Sequence, residues 1–251
     1  MPADKAPYAS LPEKDQNYYG EITGIDRNVG KLRAALRELK VSDNTLIWYT
    51  SDNGGAAGPK STGNLRGSKG TLWEGGVRVP GLIEWPARIP KPFASDVPSS
   101  TLDIYPTVLA ATGAVAERQV QPLDGLNLLP LFDQQMTQRA KAIPFVAQIN
   151  KPASHATWLD WPYKLHTNAG GARGKKGAVD GEVKPVLLYD VSADPKETTD
   201  LAAKEPERVT KMTAALAEWK VSVEKSLAGA DYGGAPTEVV PKKKKKNQAK
   251  E

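Results

Sequence analysis

The fold is decided by the stretch Thr45-Leu-Ile-Trp-Tyr-Thr-Ser-Asp-Asn-Gly-Gly55. Its first six residues are β-branched, aromatic or aliphatic with little alternation, a pattern typical of a strand that is buried on both faces. Two glycines follow Asp52 and Asn53 and let the backbone turn sharply where the strand ends. Ligands of open α/β sheets bind beyond the carboxyl ends of the strands. Asp52 and Asn53 therefore stand where the chemistry of such a fold is usually found.

The residues before this strand predict a helix over 15–40. Apolar side chains recur there at intervals of three and four, which places them on one face of a helix. This stripe consists of Ile22, Ile25, Val29, Leu32, Leu36 and Leu39. We expect the stripe to cover a sheet, and helix, turn and strand together indicate an α/β unit. Residues 1–14 have three prolines and no periodicity. We expect them to form an initial segment that either packs on another part of the protein or extends freely into solvent.

The residues after the strand predict a change of architecture along the chain. A second helix is expected over 101–112, interrupted near its start by Pro106 and capped by Gly113. Short strands at 143–149, 157–160, 163–166 and 186–191 then indicate a small antiparallel sheet. Trp161-Pro162 is its expected hairpin turn, and residues 169–182 are expected to form a mobile loop, an excursion between two strands. A final helix opening near Pro206 is expected to pack across that sheet.

The composition excludes several classes of protein. The chain has 251 residues, of which 39% are hydrophobic, so disorder throughout is excluded. It has no cysteine, which rules out disulfides, thiolate metal sites and a cysteine nucleophile. No run approaches the roughly 20 apolar residues of a membrane span. The net charge of +5 lies in the lysine-rich residues 242–251, so we expect a solvated basic tail and no specific nucleic-acid binding.

Asp52 and Asn53 offer a carboxylate and an amide oxygen at adjacent positions. Hard divalent cations prefer such ligands, and calcium takes roughly six to eight oxygens, so this pair is part of a calcium shell at most. The alternative is an ordinary strand-to-loop turn that uses the Asp-Asn-Gly chemistry common in turns.

A second unusual stretch is Leu65-Arg-Gly-Ser-Lys-Gly-Thr-Leu-Trp-Glu-Gly-Gly-Val-Arg-Val-Pro80. Its glycines allow close approach of the backbone, and small residues flank Lys69, whose ammonium can project toward an anion. A metal and a lysine together would neutralise the charge of a sulfate or phosphate ester and of its transition state. The alternative is a basic, flexible loop without function.

In this order, the two stretches resemble the sulfatase family of the alkaline-phosphatase superfamily, in which Asp-Asn-Gly precedes Gly-x-Lys-Gly-x-x-x-Glu-Gly-Gly-x-Arg-x-Pro. That second motif reads Gly67-Ser-Lys-Gly-Thr-Leu-Trp-Glu-Gly-Gly-Val-Arg-Val-Pro80 here. The resemblance extends through residues 100–107, 123–126, 188–190 and 194–201, and it covers nearly everything from Tyr18 to Val223.

The resemblance implies roles for individual residues. Asp52 and Asn53 would be ligands of one calcium ion, and Lys69 would contact the sulfate oxygens of a sulfate-ester substrate. We expect Glu74 and Arg78 to shape the loop through an ion pair or backbone hydrogen bonds.

The two histidines of the chain fit the family pattern less well. His155 and His166 fall in the antiparallel part, which borders the substrate entrance in the family. A histidine on a strand is usually a packed or exposed bystander. The histidine that the family places shortly before the first helix has no counterpart here.

The resemblance also implies a gap. Sulfatases use a formylglycine made from the first residue of Cys/Ser-x-Pro-x-Arg, beside further aspartates of the calcium site. Only Ser10-Leu-Pro-Glu-Lys14 comes near this motif, and it ends in lysine. We therefore expect a C-terminal portion of a sulfatase that is inactive alone and pairs with a missing N-terminal segment. The alternatives are a noncatalytic sulfatase-fold remnant acting as a binding module, and a related phosphatase or phosphonate hydrolase.

The resulting expectation is an α/β protein in four parts. Residues 1–14 are the initial segment, and residues 15–140 are the C-terminal part of a mixed sheet flanked by helices. Residues 141–230 form a small antiparallel subdomain with a packed C-terminal helix, and residues 231–251 form a disordered basic tail. The chain opens without a signal peptide. Its localisation is left open, although the family is commonly exported.

Overall fold

The computed structural model describes residues 2–56, 61–116, 122–149, 151, 153–170 and 183–232. Its α-helices are α1 (Pro2–Lys5), α2 (Glu13–Glu38), α3 (Glu74–Val77), α4 (Ile104–Thr112), α5 (Leu129–Phe132) and α6 (Pro206–Leu227). Its strands are β1 (Ile47–Thr50), β2 (Gly81–Glu84), β3 (Ile143–Val146), β4 (Ala156–Asp160), β5 (Tyr163–Ala169) and β6 (Lys184–Asp190). Most of the expected excursion at 169–182 and most of the tail at 231–251 lie outside the described residues.

Strands β1 and β2 form a two-stranded antiparallel sheet. One face of this sheet packs on a core built around α5, through Trp48 and Ile83. On the opposite face, Tyr49 and Leu82 lie directly across from each other and are 40% and 63% exposed. The expectation that β1 is buried on both faces is therefore wrong, because only one layer of the described residues packs against it.

Helix α2 confirms the predicted helix and its bounds. The initial segment docks on it through an ion pair between Arg27 and the buried Asp4 and a hydrogen bond between Tyr8 and Thr23. Arg33 of α2 pairs with Glu84 of β2 at 2.7 Å. The apolar stripe is not buried as we expected: four of its members are 45–69% exposed, namely Ile22, Ile25, Leu32 and Leu39. Within the described residues, no sheet covers these four side chains.

The second sheet has the order β3-β4-β5-β6 and is antiparallel throughout. Side chains alternate between the faces of a strand. One face, with Ala156, Leu165 and Leu188, packs on Met212 and Leu216 of α6. This confirms both the small antiparallel sheet and the helix that packs across it. The other face contacts the loop that precedes α3.

The remaining predicted features are also present. Gly113 ends α4 with a φ of +67°, a left-handed value that suits glycine. Pro106 does not interrupt α4, since it lies in the first turn, where the missing N–H is tolerated. A buried ion pair joins Asp103 to Arg139 at 2.7 Å. The observed class is the expected mixture of helices and sheets, with a small antiparallel sheet and a packed C-terminal helix. Among the described residues, no helix is both long and apolar enough to span a membrane.

Candidate functional site

In the turn after β1, the side-chain oxygen atoms of Asp52 and Asn53 are available to a ligand. Asp52 is exposed, and its carboxylate makes no hydrogen bond or ion pair with the part of the chain that the structure describes. The Asn53 side chain donates from Nδ2 to the Gly54 carbonyl at 3.1 Å, which leaves its Oδ1 as an acceptor. The Ser51 hydroxyl donates to the Asn53 carbonyl at 2.8 Å and tightens the turn.

Two backbone hydrogen bonds fasten the Lys69 loop (residues 65–73) and the short helix α3 that follows it to this turn. Gly54 N–H donates to the Gly76 carbonyl at 2.8 Å, and Lys69 N–H donates to the Gly55 carbonyl at 3.0 Å. A Cβ at Gly54 would lie 1.9 Å from the Gly75 oxygen, so only glycine permits this approach. The structure therefore brings Lys69 next to the Asp52–Asn53 turn, although sixteen residues separate Lys69 from Asn53 in the sequence.

Lys69 presents an unneutralised charge at this place. Its side chain is exposed and makes no ion pair with any residue in the described ranges. An ammonium on a loop with fixed backbone can act as a point charge toward an anion. The segment that carries this cation is hydrogen-bonded through its backbone to the turn that carries the Asp52 carboxylate and the Asn53 amide.

The donor set of Asp52 and Asn53 fits part of a calcium shell. Both offer the hard oxygens that calcium prefers, and neither oxygen set is engaged elsewhere in the described chain. The described residues contain no group of three or more His, Cys, Asp or Glu side chains that would hold a metal ion. Two residues supply a minority of the roughly six to eight oxygens that calcium takes.

Behind the loop lies a buried ionic cluster that the sequence reasoning missed. Lys164 of β5 donates to Glu74 at 2.7 Å and lies 3.2 Å from Glu197, and all three residues are at most 4% exposed. Glu197 also accepts the backbone N–H of Glu74 at 2.7 Å. The expected pair between Glu74 and Arg78 is present at 3.6 Å but is the weaker contact. Burial raises the pKa of Glu197, and the charge of Lys164 opposes that rise.

The two histidines continue this cluster. His166 Nε2 lies 2.7 Å from Glu197 Oε1, and His166 Nδ1 lies 2.9 Å from His155 Nε2. Burial lowers the pKa of His155 to about 3. Burial also holds the pKa of His166 well below its usual value. Both rings are therefore neutral near pH 7.

Trp73 joins the histidines to the Lys69 loop. Its ring stacks on His166 with 4.4 Å between centroids, and the Arg66 guanidinium lies 3.6 Å from its centroid. Arg66 also donates to the Glu197 carbonyl at 2.9 Å. His166 corresponds to the packed case of the bystander interpretation, because this ring is wholly buried within the support of the loop.

The sequence did carry a signal for the missed residues. Lys164 is a charged residue between Tyr163 and Leu165 in a predicted strand, and Glu197 follows Asp194-Pro-Lys in a stretch that resembles the family. A lysine or glutamate that is fully buried needs a charged partner. A buried strand lysine and a distant glutamate are therefore candidates for pairing.

Comparison with known proteins supports the assignment that these motifs imply. The family model named Sulfatase matches residues 3–114. The chain is 32% identical to human (Homo sapiens) steryl-sulfatase over 216 residues, which is 75% of this chain and 37% of that protein. Residues 3–114 are a sulfatase-family domain.

Other relatives are similar to a larger share of the chain. Rattus norvegicus arylsulfatase G is 29% identical over 94% of the chain and 49% of its own length. The crystal structure of Ps i-CgsB superposes with a TM-score of 0.74 and 28% identity, over 92% of this chain and 51% of that one. Ps i-CgsB has also been solved in complex with k-i-k-neocarrahexaose. The chain spans about a third to a half of the length of these relatives.

Proposed function

We propose that this chain supplies part of the active site of a sulfuric ester hydrolase and has no turnover by itself. Asp52 and Asn53 would hold one calcium ion, and Lys69 would contact the sulfate group of the substrate. The proposal rests on the backbone hydrogen bond from Lys69 to Gly55, which fixes the backbone of Lys69 beside the turn of Asp52 and Asn53.

Each group of the proposed site would have its own part in the hydrolysis. Calcium, when bound, supplies positive charge that polarises the sulfate ester. The Lys69 ammonium neutralises charge on the sulfate oxygens, while new negative charge develops on the alcohol oxygen as its bond to sulfur breaks. The cluster of Glu74, Lys164 and Glu197 keeps the loop in place, because each of its members is bonded to another across two elements. The products are an alcohol and sulfate.

The proposal of an incomplete site draws support from the exposed apolar surface. The α2 stripe and the Tyr49–Leu82 pair are accompanied by Leu102, Tyr105 and Val108 of the α4 region, which are 40–48% exposed. Large apolar side chains that are exposed in such numbers indicate an interaction surface. We propose that a further sulfatase segment, on the same polypeptide or a separate one, covers it and brings the nucleophile.

The test is hydrolysis of 4-nitrophenyl sulfate with calcium, by the purified chain with and without a sulfatase N-terminal segment as a second polypeptide. We expect turnover only in the mixture, and loss of that turnover with Lys69→Ala. Turnover by the chain alone overturns the proposed incompleteness. No turnover in a folded complex favours the binding-module alternative, and faster hydrolysis of 4-nitrophenyl phosphate favours the phosphatase alternative.

A further inference from the structure

The hydrogen bonds around Glu197 fix which of its neighbours donates. Oε2 accepts the backbone N–H of Glu74, and Oε1 lies 3.2 Å from the Lys164 ammonium. Oε1 also lies 2.7 Å from His166 Nε2. A carboxylate surrounded by donors accepts from every one of them. His166 must therefore carry its proton on Nε2.

The direction of this bond propagates to His155. A neutral imidazole has one donor and one acceptor nitrogen, so His166 Nδ1 is an acceptor. His155 Nε2 lies 2.9 Å from it and must donate. His166 is neutral because Lys164 and Arg78 already face the carboxylates of Glu197 and Glu74, and an imidazolium would add uncompensated buried charge. The proton of His155 is thus held on Nε2, and Nδ1 keeps its lone pair.

That lone pair is available beside the Lys69 loop. No residue in the described ranges is hydrogen-bonded to His155 Nδ1, and the side chain is only partly buried. The Trp73 ring lies 5.8 Å from the His155 ring, between centroids. The same Trp73 packs on Gly67, where an added Cβ would lie 2.8 Å from its Cβ. One aromatic side chain therefore separates His155 from the loop that carries Lys69.

We propose that His155 Nδ1 accepts a hydrogen bond from a hydroxyl group of the sulfated substrate. Glu197 and His166 are then positioning residues, because they hold His155 in the tautomer that can accept. The inference rests on the proposed function, since Lys69 would hold the sulfate. It names the substrate class as a sulfate ester with a hydroxyl near the sulfate, as in a sulfated sugar.

The tautomer is tested by nitrogen-15 NMR of the full chain labelled in its histidines. The chain has only two histidines, so His155→Gln assigns the spectrum. We expect both rings to be protonated on Nε2 at pH 7. A His155 ring protonated on Nδ1 overturns the proposal, because its outward nitrogen would then donate. Glu197→Gln is expected to disturb this arrangement, whereas Lys91→Gln, at an exposed lysine, leaves it unchanged.

The hydroxyl contact is tested by comparing two probes with the full chain in calcium. Methyl sulfate has no hydroxyl, and glucose 6-sulfate has several. We expect glucose 6-sulfate to shift the His155 Nδ1 resonance and to bind about three- to tenfold tighter than methyl sulfate, as befits one neutral hydrogen bond. His155→Asn places an amide oxygen near the position of Nδ1 and should keep part of this preference. His155→Gln keeps the donor to His166 but lacks that acceptor, so it should lose the preference.

The outcomes separate this inference from the proposed function. Binding of both probes that depends on Lys69, with no preference or with a preference unchanged in His155→Gln, overturns the role of His155 alone. If neither probe binds, or if Lys69→Ala binds both as the unmodified chain does, the proposed function fails and the inference fails with it.

Discussion

Lys164 and Glu197 lie 3.2 Å apart and are both fully buried, although one comes from β5 and the other from the segment between β6 and α6. Each also bonds Glu74, at the start of α3. The antiparallel sheet therefore holds the loop of Lys69 through charged side chains and not through apolar packing alone. Burial makes these contacts strong only as a complete set.

Removal of one charge from this set should be costly. We expect Lys164→Met to lower the free energy of unfolding by about 3–5 kcal/mol, because two buried carboxylates lose their cation. Urea denaturation at pH 7 measures this. The matched control is Arg78→Gln, which removes a half-exposed partner of the same Glu74 and should change stability by about 1 kcal/mol or less. Equal effects of the two variants would contradict the central role of Lys164.

Acidification should destabilise the chain through its histidines. The folded-state pKa of His155 is about 3, below the unfolded value of 6.5, so the unfolded state binds more protons between these values. Stability is therefore present above pH 6.5 and is lost as the pH falls toward 3, by at most about 1.4 kcal/mol per pH unit for each histidine. His155→Gln should flatten the profile of unfolding free energy from pH 6.5 to 4. An unchanged slope would show that His155 titrates normally.

Replacement of Asp52 should weaken calcium binding. We expect Asp52→Asn to reduce the calcium affinity of the complemented protein about tenfold or more, because a charged ligand is lost. Isothermal titration calorimetry measures the affinity. Asp96→Asn removes an equal charge from an exposed loop position and should leave the affinity unchanged. Equal calcium affinity in both variants would remove Asp52 from the calcium site.

Lys69 should contribute to the chemical step. We expect Lys69→Ala to lower kcat/KM for 4-nitrophenyl sulfate in the complemented protein by about 10²–10³, the range typical of a lost oxyanion contact. Lys69→Arg should restore part of the rate, since it keeps the charge. Lys91→Ala, at another exposed lysine, serves as the control. A rate equal to that of Lys91→Ala would place Lys69 outside the reaction.

The α2 stripe should be an interface with the further sulfatase segment. Leu32 is 49% exposed, and burying a leucine contributes about 1.5–3 kcal/mol. We expect Leu32→Lys to weaken association with the N-terminal segment about tenfold or more, as measured by calorimetry. Ala34→Lys places the same charge on the opposite face of α2 and should have little effect. Weakening by both variants alike would point to general electrostatic repulsion.

The sequence by itself determined the three longer helices, the strands β1 and β3 to β6, and the two motifs. Periodicity located α2 and α6, alternation and turn residues located β3 to β6, and the glycines marked the turn after β1 and the Lys69 loop. These features are local, because they depend on backbone preferences and on residues a few positions apart. The expectation that β1 and the α2 stripe are buried was wrong. An apolar pattern predicts that a surface favours burial, but it does not predict which part of a protein covers that surface.

Only the tertiary structure decided which distant groups meet. It paired Lys164 with Glu74 and Glu197, and it ordered the histidines behind Trp73 so that one nitrogen of His155 stays available. These contacts span between 11 and 90 residues of sequence. No local propensity encodes them, since the direction of a buried hydrogen bond depends on every donor that packs around the acceptor. The motifs thus predicted where the site lies, and packing decided how its support is built.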